Sequence, residues 1–387
     1  MLQDWLIEIA KGIGKLFLNP LLYWSVIFII LIGIRRIKQE RRYFGTKVFD
    51  VLSEWKDTWG FSVIIGIFYS IVIIGIGMVI SYEAIIILSI VTILLTLTFR
   101  FTMLSPSYTI GITIIILLLS PSLSEYLPIH GEINLSTLAI LLALFLFVEA
   151  HFLSRIRQNE TFPALVLGER GSWIGRHWIK KFSIIPLFTL VPSGLIEPFA
   201  AYWPFLSIGG DDYALVLIPF VLGFEFPVRG SMPYKVANRL AMKLLGLAVI
   251  VLAIAIGSIF ISWLTIVAVV VAIFGREFIN YRFRTEDHAR RPFFNHTHDG
   301  LKVLSVIPGS PADRLNILIG EIITKVNGHK IHSEEELYVA LQQTGSFFKV
   351  ELFDNNGEIR FVQSAMYEGD HHELGLIFTS EPYRKIK

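Results

Sequence analysis

An uncharged run of 32 residues, 244–275, constrains this chain more than any other feature. A bilayer core about 30 Å thick is crossed by about 20 apolar residues in helix. As one helix this run would be about 48 Å long, so it reads as two spans turning near Gly257-Ser258. Further uncharged runs lie at 16–34, 61–82, 84–99, 101–124, 133–148 and 182–196. Two shorter ones, 198–210 and 213–224, flank Asp211-Asp212. The total is about nine spans, or seven or eight if some segments are re-entrant. With 53% hydrophobic and 17% charged residues, against about 25% charged in soluble domains, a single water-soluble globule is excluded. So is a disordered chain, which needs the opposite composition.

Lysine and arginine set the orientation. Segments 35–60, 155–181, 229–243 and 276–291 carry seven, six, four and five of them. Segments 121–134 and 207–212 carry none and hold Glu125, Glu132, Asp211 and Asp212. The positive-inside rule uses this bias over short loops. It places the four basic segments, and everything after Arg276, in the cytoplasm. The first apolar run is too long for the core of a signal peptide. Before it, Leu2, Trp5, Leu6, Ile9 and Ile13 recur at helical spacing opposite Asp4, Glu8, Lys11 and Lys15. That is the pattern of an interfacial anchor or of a lead-in to the first span.

Candidate chemistry inside the membrane is sparse. Glu149, Glu197 and Glu225 fall in or at the ends of predicted spans, and intramembrane carboxylates mark ion or proton paths by default. Each also lies near a face where it can reach water. Pro186, Pro192, Pro198 and Pro204 recur every six residues, which argues against regular helix there. A zinc protease would need His-Glu-x-x-His. The strings starting at His332 and His371 lack the second histidine. A serine protease would need Ser193 to meet His151 or His177. His296-x-His298-Asp299 reads as a polar linker rather than a metal site. No cysteine is present and the net charge is +2, so thiolate metal sites are excluded and nothing suggests nucleic acid. No cofactor, metal or enzymatic activity is expected.

From about residue 288 the texture changes to short alternating strands, turns and one helix. Asn327-Gly328 between apolar stretches is a hairpin signal, and Ser333-Glu-Glu-Glu336 is a capping box. Gly300-Leu-Lys-Val303, Pro308-Gly-Ser-Pro-Ala312 and Gly320-Glu-Ile-Ile-Thr-Lys-Val-Asn-Gly328 together resemble a PDZ domain of the bacterial type. Glu321 stands where Asp is usual. The resemblance implies a carboxylate-binding loop beside the last strand, at Glu373, Leu374, Gly375, Leu376, Ile377 and Phe378. Such a loop turns backbone N–H groups toward an anion, and the strand after it offers an edge to an extended peptide. Leu337 and Leu341, with Leu374 and Leu376, either shape the side-chain pocket or are core. The expected division is a lead-in helix at 1–15, a transmembrane bundle at 16–275, a basic linker at 276–290 and a PDZ domain at 291–380. The fold class is an α-helical polytopic membrane bundle of about seven to nine spans followed by a cytoplasmic α+β PDZ domain.

Over the whole chain the sequence resembles the MinJ family of membrane-spanning division-site proteins. The resemblance rests on Phe17-Leu-Asn-Pro-Leu-Leu-Tyr-Trp24, on Leu167-Gly-Glu-Arg-Gly171 in a basic loop, on the bundle and on the final domain. It implies a non-enzymatic scaffold in the cell membrane, enriched at septum and poles. Such a scaffold bridges the polar coiled-coil protein DivIVA to the ATPase MinD of the MinC–MinD inhibitor. Other division proteins, peptide tails at the PDZ groove and membrane lipids are the remaining partners implied. An intramembrane protease or transporter with a regulatory PDZ domain is the alternative.

Overall fold

The computed structural model describes residues 2–120, 133–200, 202–209, 212–343, 347–365 and 374–384. The chain opens with α1 (Leu2–Leu16), α2 (Pro20–Phe44), a single turn α3 (Ser53–Lys56), α4 (Trp59–Ile76) and α5 (Tyr82–Thr96). After a 3₁₀ turn at Phe101–Leu104 come α6 (Pro106–Leu119) and α7 (Leu135–Ser154). Three strands follow, β1 (Phe162–Leu167), β2 (Trp173–Ile196) and β3 (Tyr213–Val228), then α8 (Pro233–Gly257) and α9 (Leu264–Ala289). Among the described residues, five helices are long and apolar enough to cross a membrane: α2, α4, α7, α8 and α9. The shorter apolar helices α5 and α6 accompany them. Run 244–275 divides where α8 ends at Gly257 and α9 begins at Leu264. The basic stretch expected as a linker at 276–290 is helical, because α9 continues to Ala289.

An all-helical bundle of seven to nine spans is corrected by the middle of the chain. Runs 182–196 and 213–224 are strands: β2 and β3 pair antiparallel from His177↔Val228 to Pro192↔Tyr213. Prolines explain the choice. One Pro inside a helix costs about 3 kcal/mol, and run 182–196 holds Pro186 and Pro192. A spacing of six is an even number, so in a strand both fall on positions of one parity. Pro186 faces Pro219 across the ladder, a register position where neither strand needs an N–H donor. The described residues of run 198–210 are not helical either. Trp203 Nε1 donates to Ile74 O (2.7 Å), and Phe205 N and Leu206 N donate to Ile76 O and Gly77 O (both 3.1 Å). It caps the last carbonyls of α4, which a helix end leaves without partners.

A sheet edge buried among apolar helices must have its polar backbone groups covered. Beyond its six-residue pairing with β1, β2 has β3 on one side only, and α4 closes the other. Thr58, Ser62, Gly66 and Ser70 recur every four residues and so share a helix face. Thr58 Oγ1 donates to Phe182 O (2.6 Å), Ser62 Oγ meets Ser183 Oγ (2.5 Å), and Phe188 N donates to Ser70 Oγ (2.8 Å). A Cβ on Gly66 would stand 2.2 Å from Pro186 O, so only glycine allows this approach. On the outer side of β3, Gly12 of α1 lies against Leu215 O and Thr102 Oγ1 donates to Glu225 O (3.3 Å). Helix α1 thus buries Glu8 and Gly12 and leaves Leu2, Leu6 and Ile13 exposed.

The remaining elements are β4 (Leu301–Val306), α10 (Pro311–Arg314), β5 (Ile322–Val326), β6 (His329–Lys330), α11 (Glu334–Gln342), β7 (Phe347–Phe353), β8 (Ile359–Ala365) and β9 (Leu376–Phe378). They form one sheet in the order β8-β7-β5-β4-β9, with β6 paired to β5. Asn327 and Gly328 both have positive φ (52° and 87°), as the tight hairpin between β5 and β6 requires. Ser333 caps α11, its hydroxyl accepting from Glu336 N (3.2 Å), while Glu336 reaches back to His332 N (2.7 Å).

Candidate functional site

The expected peptide-binding residues that are described come together, and all of these are buried. Strand β9 pairs antiparallel with β4, Leu376 opposite Val306 and Phe378 opposite Val303. It ends the sheet order, so among the described residues one of its edges has no strand partner. Just before it, Leu374 and Gly375 have φ of +57° and +75°. Their carbonyls turn into the domain, accepting from Ala312 N (3.0 Å) and Ile307 N (2.8 Å). A Cβ on Gly375 would lie 2.3 Å from Ser310 Cβ, so the loop is closed tightly on the turn that opens α10. Glu373 lies outside the described residues. Leu337, Leu341, Leu374, Leu376 and Phe378 share one apolar cluster with Val303, Ile323 and Val350. In this arrangement the two leucines of α11 are core. Glu321 Oε2 accepts from Leu318 N (2.9 Å) and Arg360 Nη2 (2.8 Å), which fixes the turn into β5. Burial pushes its carboxyl above the ordinary range despite the arginine.

Ile377 points the other way, as strand alternation demands. It joins Val48, Phe49, Phe162, Met232, Phe294 and Ile319 in a cluster that binds the small domain to the bundle. Polar contacts reinforce this dock. Gln158 Nε2 and Asn159 Nδ2 donate to Ile319 O and Ile317 O (both 2.9 Å), and Ile319 N donates to Asn159 Oδ1 (3.1 Å). Tyr383 N and Arg384 N donate to Tyr43 O (2.9 Å) and Arg42 O (3.1 Å). His177 is fully buried against Phe294, 4.5 Å between ring centroids, and its Nδ1 meets Thr161 Oγ1 at 2.9 Å. Burial pushes its imidazole down to about 3.

Sequence reasoning missed this dock. Arg36 reads as one more positive-inside charge, yet it is buried, holding Glu54 (2.7 Å), Glu40 (2.6 Å) and Asp50 O (2.5 Å). That cluster shapes the loop which delivers Val48 and Phe49. Only the pairing of Arg36 with Glu40 at i,i+4 is a signal in the sequence.

The other candidates separate. Ser193 lies 16 residues from His177 along the same strand, roughly 50 Å at ~3.3 Å per residue. His151 stacks on Phe61, 4.4 Å between centroids, near the other end of α4 from the Leu190 contact with Ile80. Glu149 is fully buried and paired with Arg276 at 2.6 Å, an ion pair not aligned as a hydrogen bond, and it accepts from Ser105 Oγ (2.6 Å). Glu225 pairs with Lys180 at 3.5 Å. Glu197 shares a shallow cavity with Asp4 and Asp212. Among the described residues no three His, Asp or Glu side chains converge as a metal site.

The PDZ domain family matches residues 302–347, a span that ends before β9. Over nearly its full length the chain is similar to a Bacillus subtilis (strain 168) protein described as cell division topological determinant MinJ. The two are 34% identical over 391 residues, covering 98% of this chain and 97% of that protein. An 82-residue stretch is 30% identical to proteins of Lacticaseibacillus paracasei and Lacticaseibacillus casei (strain BD-II), both described as probable cell division topological determinant MinJ. It covers 21% of this chain and 22% of each relative.

Proposed function

The chain belongs to the MinJ family of cell division topological determinants, and from that premise we propose that it is a non-enzymatic membrane scaffold for division-site selection. In this reading it sits in the cell membrane, concentrated at septum and poles, with its PDZ domain and basic loops in the cytoplasm. It bridges a DivIVA-like polar coiled-coil protein to the MinD ATPase of the MinC–MinD inhibitor, and it recruits other division proteins through the same end. The observation that carries this reading is a similarity running through bundle and PDZ domain alike, over 98% of the chain. The gathering of loops 35–60 and 155–181 against the PDZ domain supports it further. Everything a cytoplasmic partner would touch then lies on one face.

Photo-crosslinkers placed in cells at Tyr338, on the exposed face of α11, and at Arg170, in the exposed turn after β1, test the reading. The expected result is capture of DivIVA-like, MinD or other division proteins from at least one position. Capture of lipid alone from both would overturn it.

A further inference from the structure

Three connecting segments, each carrying arginine, meet around one cavity of about 530 Å³. The turn between β1 and β2 supplies Glu169 and Arg170, held by Gly168 N donating to Ser172 O (2.8 Å). The end of β3 supplies Arg229, and the exit from α9 supplies Arg290 and Arg291. Arg229 is fixed from several sides. Its N donates to Asp287 Oδ2 (3.0 Å), its Nη2 donates to His288 O (2.7 Å), and its carbonyl accepts from Phe293 N (2.8 Å). Its side chain is 15% exposed, its Nε is buried without a partner, and the nearest lining carboxylate, Glu169, stands 3.8 Å away and is itself 89% exposed. Buried unsatisfied donors on a charged group call for an anion or water, and guanidinium forks match oxyanions.

Position and size decide among anions. A span of about 20 residues starting at Leu264 ends near Phe283, so Arg290 and Arg291 lie about 10 Å beyond it at 1.5 Å per residue. Headgroup regions extend only roughly 5–8 Å past the hydrocarbon core. Counting instead from Tyr281, whose exposed ring suits the headgroup belt, still leaves about 10 Å. The volume exceeds what one phosphate fills, and no Phe, Tyr or Trp joins His288 in its lining to clamp a base between two rings. Ile174, Ala289 and Pro292 instead offer apolar wall between the arginines.

We propose that this cleft binds an acidic segment of a partner protein, its carboxylates held by Arg170, Arg229 and Arg291. The proposal rests on the scaffold reading for the protein nature of the ligand, and it assigns the partner's chemistry.

The test uses the full chain in nanodiscs of uncharged phosphatidylcholine, with a fluorescein-labelled octaglutamate peptide as probe and anisotropy as readout. Arg170→Gln with Arg291→Gln, both at exposed positions, should weaken binding by roughly tenfold or more. Removing the same charge at Arg282 and Arg284, on the exposed face of α9, should change it by less than about twofold. Glu169→Gln should tighten binding by roughly two- to fivefold, a gain that misfolding does not produce. Equal losses from the two double variants would overturn the proposal, as would absence of peptide binding. Displacement of the peptide by about 1 mM inorganic phosphate would also overturn it, in favour of a small-anion site whose Kd lies at or below that concentration. If the cleft fails while Tyr338 still captures division proteins, the scaffold reading stands without it.

Discussion

Gly66 and Pro186 show how much of this molecule is decided by single residues. A proline every six positions argues against regular helix, and that part was legible in the sequence; the strand that replaces it was not. The glycine was not, because one small residue in an apolar helix has many uses. Its meaning lies in the stripe Thr58, Ser62, Gly66 and Ser70, which is complementary to an edge that only the folded chain presents. Two glycines of the same helix therefore differ in what they tolerate. At Gly75 a Cβ meets nothing within 4 Å, whereas at Gly66 it meets Pro186 O at 2.2 Å. Gly66→Ala should destabilise the detergent-solubilised protein by about 1–3 kcal/mol, and Gly75→Ala should be neutral or stabilising by up to about 1 kcal/mol. Thermal unfolding followed by intrinsic fluorescence checks this. Equal midpoints for the two variants would remove the edge-sealing role.

At the scale of elements, hydropathy located the apolar runs but could not tell helix from strand. A strand covered on both faces is as continuously apolar as a buried helix, and 213–224 has no alternation to betray it. The PDZ elements were legible because turn chemistry is local: Asn327-Gly328 and Ser333 act within a few residues. The dock was not, since Asn159 and His177 acquire their roles across more than a hundred residues. His177 gives the dock a pH dependence with a definite sign. Its pKa falls from the ordinary value near 6.5 to about 3 on folding. The undocked or unfolded state therefore binds more protons between those limits. Stability is full above about 6.5 and is lost as pH falls toward 3, on the order of 2 kcal/mol by pH 5. Amide exchange at Phe294 and Ile319 should rise between pH 7 and pH 5, after correction for intrinsic rates, and should do so less in a His177→Gln variant. Identical protection at both pH values would contradict the burial argument.

For the whole molecule, the PDZ domain is not a free appendage. Ile377, beside the expected peptide loop, packs into the cluster shared with the bundle, so the binding domain has a fixed orientation relative to the membrane helices. A fixed orientation suits a protein that holds partners at a place rather than one that turns over substrate. In the proposed function that place is the division site, and a polar coiled-coil partner sets it. The direct measurement is the position of a fluorescent fusion of the full chain in rod-shaped cells with and without their DivIVA-like protein. Bands at septa and poles that disperse over the membrane when that protein is deleted are the expected result. A uniform membrane signal that ignores the deletion would contradict it.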